Sequence, residues 1–310
     1  MAVVELSGSG VDRQAIDPRL SIKYERWDDL TDEYRRLAGR IASFQALAEF
    51  VGVVPFSEWI AKVPDYARKQ MFLAKMQDEV GHGHVMARVA EDLGENTREQ
   101  ILWDFVEGRT KLLNIFHYGF DSWEEIGPAA LMQNSAAIVQ FQSLMGGTYL
   151  PYVRALKKIA VEEGFHYHHA MDLTHEVLTN GTPAQRALVQ QAFETWLVRV
   201  LGYFGPPDLD TVEGNRMYQV GLKVDANETL RQRWLSKIIP VFQKLGVEVR
   251  PELVRFDADE GRWVYSGIDF GELKRMLAGG GPRYQDWIDT VRWSLVKNEP
   301  YRKAARRAAA

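Results

Sequence analysis

Two copies of the pattern Glu-x-x-His constrain this chain more than any other feature. Glu79-x-x-His82 lies in KMQDEVGHGH and Glu163-x-x-His166 in VEEGFHYHHA. The two motifs stand 84 residues apart, and each follows an acid, Asp78 or Glu162. Residues three apart share a helix face, so each pair can aim a carboxylate and an imidazole at one point. One such match means little in a chain with seven histidines, as the unpaired Asp172-x-x-His175 illustrates. A repeat in matched surroundings means more. Antiparallel helix pairs that build dinuclear carboxylate sites take one carboxylate from the first helix and Glu-x-x-His from the second. The expected fold is therefore mainly α.

Such a site needs a further carboxylate about 30 residues upstream of each motif. Glu49 stands 30 residues before Glu79, and it is the only charged residue between Arg40 and Glu58. An acid among Ala46, Ala48, Phe50 and Val53 is costly to bury unless a cation meets it. The same step back from Glu163 lands on Gln133 and Asn134, both amides, and no acid occurs between Glu125 and Glu162. The sixth position is thus neutral, and an amide oxygen is a weaker donor than a carboxylate. Asp78 and Glu162 are expected to accept the second ring N–H of the histidine on the facing helix, fixing its orientation. His84 and His168 lie two residues past a motif histidine and point away from it; His117, His169 and His175 are given no role.

Composition restricts the chemistry further. The chain has no cysteine, so any metal must sit on nitrogen and oxygen ligands, and a reducing cytoplasm is the expected setting. A net charge of −4 gives no basic field for nucleic acid. The longest uncharged run, Gly127 to Val153, holds amides, two central glycines and Pro151, and is a poor membrane span. With 46% hydrophobic residues in 310, the chain can bury a large core.

Along the chain, residues 1–22 are expected as a flexible arm, 23–204 as a helical metal-binding bundle, and 205–310 as a smaller extension for substrate or subunit contacts. Helices are predicted to end near Val54, to run from Asp65 to Leu93, and then from Pro128 to Gly146, Tyr152 to Asn180 and Pro183 to Leu201. Gly205, Pro206 and Pro207 mark the boundary. A hairpin turning at Asp257–Gly261 and a helix over Arg283–Arg307 follow, with RKAARRAAA as a solvated tail. Phe44, Phe50, Phe141 and Met145 are candidates to line a pocket for an aromatic ring, and AGGGPRY is read as a turn.

AEFVGVVPFSEWI, LAKMQDEVGHG, SAAIVQFQ, EEGFH, NETLRQRW, KLGVEV and GRWVYSGIDF, in this order, resemble the catalytic A subunits of phenylacetyl-CoA epoxidases (ring 1,2-epoxidases). These belong to the bacterial multicomponent monooxygenases with a ferritin-like, carboxylate-bridged di-iron site. The likeness implies a ferritin-like bundle with a C-terminal extension of helices and a short hairpin, and Glu49, Glu79, His82, Glu163 and His166 as iron ligands. It implies two irons per chain, with the second position uncertain because the family's remaining ligand, an aspartate, aligns with Asn134.

The implied reaction uses O2 to place one oxygen across the ring of an aryl-acetyl-CoA thioester, in phenylacetate degradation. Electrons are implied to come from NADPH through a separate flavin and iron–sulfur reductase. The chain is implied to assemble as a hetero-oligomer with accessory proteins and a related structural subunit. The alternative is a metal-depleted or mononuclear, non-catalytic paralogue in a structural role. An iron-storage bundle is a third reading, opposed by the hundred residues after Phe204.

Overall fold

The computed structural model describes residues 17–206 and 212–308. The chain is mainly α, with one antiparallel hairpin. Its frame is two antiparallel helix pairs: α1 (Asp32–Ser57) on α2 (Tyr66–Asp92), and α4 (Trp123–Met145) on α5 (Leu150–Asn180). α2 and α5 run antiparallel to each other, since Arg68 meets Glu176, Asp78 meets His166 and His82 meets Glu162. The short α3 (Arg98–Val106) follows α2, and α6 (Pro183–Leu201) packs on α4.

Local chemistry sets these bounds. Thr31, Asp65 and Ser122 each accept a backbone N–H in the first turn of α1, α2 and α4, and Thr182 with Gln185 forms a full capping box on α6. Two ends depart from expectation. α1 continues through Pro55 to Ser57, so the proline sits in the last turn and does not stop the helix. α4 starts at Trp123, five residues before Pro128, because the Ser122 cap and a hydrogen bond from Trp196 Nε1 to Glu125 (2.6 Å) hold its first turn.

Residues 1–16 of the expected arm and Pro207 of the boundary lie outside the described residues; Pro18–Leu20 forms a single 3-10 turn. After Phe204 come α7 (Val212–Gln219), α8 (Asn227–Lys244), the hairpin β1 (Val254–Asp257) and β2 (Arg262–Tyr265), α9 (Phe270–Arg275) and α10 (Tyr284–Ala308). The hairpin pairs Val254 with Tyr265 and Asp257 with Arg262. The helix expected over Arg283–Arg307 is α10, which carries residues 302–308 of the closing RKAARRAAA.

These elements share cores with the bundle. Trp234 and Ile238 of α8 are buried with Leu131 and Val139 of α4, and Trp234 Nε1 donates to Ser135 Oγ (2.8 Å). Trp287 and Ile288 of α10 are buried with Phe105 and Leu112. The AGGGPRY turn is fixed by contact: a Cβ on Gly281 would lie 2.2 Å from that of His117. α1 is apolar enough to cross a membrane by length and composition, yet 61% of that window is buried inside the fold.

Two buried histidines are held neutral. Burial pushes His117 down to about 4 against a hydrogen bond to the Leu112 carbonyl, and burial with the Arg68 and Lys75 charges pushes His169 down to about 4. A folded-state value below the ordinary 6.5 means that this stability is complete above pH 6.5 and is lost as pH falls through 4. His169 also carries a buried Nε2 with no partner. His169→Leu should therefore raise the melting temperature more at pH 5 than at pH 7.5; an equal change at both, measured calorimetrically, would contradict this account.

Candidate metal centre

The bundle brings Glu49 from α1, Glu79 and His82 from α2, and Glu163 and His166 from α5 to one buried point. Atoms of Glu49, Glu79, His82 and Glu163 lie within 4.8 Å of one another. Glu79 spans the two imidazoles: its Oε2 is 3.4 Å from His82 Nδ1 and its Oε1 is 3.6 Å from His166 Nδ1. Glu163 Oε1 stands between the same two nitrogens, at 3.4 and 3.5 Å. Glu49 Oε2 lies only on the His82 side, at 3.9 Å.

The outer nitrogens explain why the rings face inward. His82 Nε2–H donates to Glu162 at 2.9 Å and His166 Nε2–H to Asp78 at 3.2 Å, each across the α2–α5 seam. Both Nδ1 atoms are thereby aimed at the carboxylates, and both are buried without a hydrogen-bond partner. Imidazole nitrogens oriented by outer carboxylates and facing three acids fit a metal with nitrogen and oxygen ligands.

Asn134 of α4 lines the same cavity as Glu79 and Glu163, and beside it the structure adds a residue that the sequence reading missed. The Lys75 ammonium lies against Glu79 Oε1 and 3.5 Å from Asn134 Oδ1, and it is buried. The only sequence signal was its place four residues before Glu79, the spacing of an ordinary surface ion pair.

Protein charges thus offset one another inside the cluster. Burial, with the Glu79 and Glu163 charges, pushes Glu49 well above the carboxylate range. For Glu79 burial acts upward, but the Lys75 charge and the close His82 and Glu49 side chains outweigh it and hold the carboxyl well below that range. Burial would lower His82, yet the Glu163 and Glu79 carboxylates, each 3.4 Å from its Nδ1, carry it up to about 11.

A cavity of about 320 Å³ abuts the carboxylate side of the cluster. Glu49, Glu79, Glu163 and Asn134 line it, whereas the two histidines lie behind them. Phe44 and Phe141 line it as expected, joined by Ile115, Phe116 and Tyr203. Phe50 and Met145 do not: Phe50 fills the space over Gly83 and meets the His84 ring edge-on, and Met145 packs against the core. His84, His168 and His175 are exposed and take no part.

A family model described as "Phenylacetic acid catabolic protein" matches residues 17–278. The chain belongs to this family. It is 33% identical over 292 residues to the A subunit of the 1,2-phenylacetyl-CoA epoxidase of Escherichia coli K12, covering 94% of this chain and 93% of that relative. A role in phenylacetate catabolism follows from membership, and the relative's designation as one subunit implies others.

A divalent cation that binds His82 must displace a proton held by its imidazole. Affinity for manganese(II), titrated against a competing chelator, should therefore rise with pH between 6.5 and 8, by up to ~10-fold per pH unit for each proton released. A pH-independent affinity would contradict the charge arrangement.

Proposed function

We propose that this protein is the catalytic subunit of a cytoplasmic multicomponent oxygenase that epoxidises the aromatic ring of phenylacetyl-CoA. The observation that carries the reading is a buried set of three glutamates and two inward-facing histidines against an aromatic-lined cavity, in a chain of this family. The overall change balances as thioester + O2 + NADPH + H+ giving epoxide + NADP+ + H2O. With no cysteine the chain has no cysteine-ligated iron–sulfur cluster, so electrons reach it through a separate flavin and iron–sulfur reductase. The cavity exceeds the roughly 150 Å³ that houses a benzene molecule in a protein core, so a phenyl ring fits.

Glu49, Glu79, His82, Glu163 and His166 would hold iron, and a bound iron pair supplies the O2 reduction that no side chain here can perform. The protein's own part is positional. Glu162 and Asp78 fix the imidazole orientations, and Phe44, Phe116 and Phe141 exclude water from the cavity. Carboxylates, not histidines, face the substrate space.

Two metals held here would be met unequally. His82, Glu49, Glu79 Oε2 and Glu163 would offer one of them three acids and a histidine. His166, Glu79 Oε1 and Glu163 would offer the other two acids and a histidine, with the Lys75 ammonium against Glu79 Oε1 and the neutral Asn134 beside that ammonium. This observation favours, as second reading, a chain that retains one iron and acts in a mononuclear or non-catalytic role. Full loading requires Lys75 to leave Glu79.

Metal content per chain separates the readings. On the di-iron reading, wild type from iron-replete cells carries close to two irons, and Glu79→Ala, which removes a residue common to both positions, carries fewer than about 0.2. Asn134→Asp and Lys75→Met should raise the occupancy of the second position under limiting iron. One iron in the wild type that rises to two in Asn134→Asp establishes the mononuclear reading instead, and unchanged iron in Glu79→Ala overturns both.

A further inference from the structure

The walls of the cavity are largely carbon, yet its cluster end carries two hydrogen-bond donors that have no acceptor among the described residues. The first is Tyr203, the only hydroxyl-bearing side chain in the lining. It sits on the 3-10 turn Gly202–Phe204 that follows α6. Burial, then the Glu49 and Glu163 charges, raise its phenol above the usual range, so at neutral pH it is an O–H donor in the field of two acids. Among the described residues no hydrogen bond ties that hydroxyl to the protein.

The turn that carries Tyr203 is fixed from both sides. Arg231 of α8, fully buried, donates through Nε to the Leu201 carbonyl (2.9 Å) and through its terminal nitrogens to the Gly205 carbonyl and to Glu228. Tyr265 of β2 donates to the same Glu228 at 2.9 Å, and Asn227 Nδ2 donates to the Pro206 carbonyl at 3.0 Å. A buried guanidinium that spans the carbonyls before and after Tyr203 leaves its backbone little freedom.

The second donor is Asn134. It is 5% exposed and lines the same cavity, and its Oδ1 faces the Lys75 ammonium at 3.5 Å. An ammonium can only donate, so it selects the amide oxygen and leaves Nδ2 as the other end; that nitrogen is buried with no partner. A buried donor without an acceptor is costly, and two of them at one end of a cavity mark where the acceptor of a ligand belongs.

We propose that Tyr203 and Asn134 select the aromatic ring: the thioester that this cavity takes in preference carries a neutral oxygen substituent on its ring, a hydroxyl or an alkoxy group. The inference rests on the oxygenase reading under Proposed function and narrows its substrate class. A substituent oxygen has two lone pairs and can accept from both donors, which a bare phenyl ring cannot do. An anionic substituent does not fit, since Glu49, Glu79 and Glu163 line the same end and repel it, and an ammonium has no lone pair to offer. Space is sufficient, at about 320 Å³ against the roughly 150 Å³ that houses benzene. Phe44, Phe116 and Phe141 offer the ring apolar walls, and the two donors supply discrimination, because a site built to hydrogen-bond an oxygen disfavours the analogue that lacks it.

The test pairs binding with turnover for four thioesters: phenylacetyl-CoA and its meta-hydroxy, para-hydroxy and para-methoxy derivatives. Calorimetry on the metal-free full chain should show at least one oxygenated thioester binding about tenfold tighter than phenylacetyl-CoA, and in the assembled enzyme the same compound should have the higher kcat/KM, gained through KM. Tyr203→Phe keeps the ring and should melt with the wild type. It should shrink the preference to under about threefold without weakening phenylacetyl-CoA, and in the metal-free assay Asn134→Ala should shrink it too. Equal wild-type affinity for all four overturns the proposal, as does a preference that Tyr203→Phe leaves intact. An equal loss for every thioester in Tyr203→Phe overturns it in favour of the shared thioester carbonyl as the acceptor. Failure of the wild type to bind or oxygenate any of the four instead removes the oxygenase reading, and the proposal with it.

Discussion

Three glutamates buried within one small volume are the constraint on which the rest of this structure depends. Unpaired acids in such a place repel one another and lose hydration, so the fold must supply positive charge or retain protons. His82 is held as a cation, Lys75 reaches in from one turn before Glu79, and Glu49 is pushed well above the carboxylate range. The two antiparallel helix pairs follow from this requirement as much as from their apolar faces. Carboxylates from three helices meet only if α1, α2 and α5 converge, and the Asp78–His166 and Glu162–His82 bonds tie α2 to α5 at that level.

The cluster is two-sided. Its carboxylates face an aromatic cavity and its histidines face a thin outer layer made of Asp78 and Glu162. On the proposed reading, ring chemistry and oxygen reduction belong to the inner side, while the outer side governs how firmly the imidazoles are aimed. The inner side is itself lopsided. Asn134 contributes no charge where an acid would balance a second cation, and Lys75 supplies the cation that the amide cannot attract. The site is thus offset internally by protein groups.

Much of this arrangement was legible in the residues. Glu49 stood out as a lone charge in an apolar run, and equal spacing tied it to Glu79 and the two Glu-x-x-His motifs; the fold brings these side chains together. The amide at the sixth place was legible for the same reason. Lys75 was not, because its burial is a tertiary fact: four residues from an acid on a helix, a lysine reads as an ordinary exposed pair. Helix ends erred where prolines were given more weight than caps, at Pro55 and Pro128. Phe50 and Met145, candidates for the cavity wall, pack elsewhere in the fold, because an apolar residue near a site helix can face either the cavity or a neighbouring helix, and composition does not distinguish the two.

The central claim is that this cluster directs one atom of O2 onto an aromatic ring held in the adjoining cavity. Its most direct measurement is isotopic: the assembled enzyme, NADPH and phenylacetyl-CoA under 18O2, with the CoA thioester product analysed by mass spectrometry. The account predicts one 18O per product molecule and none when the same reaction is run in H2 18O under ordinary O2. NADPH consumption with no labelled thioester, or label drawn from water, would contradict it.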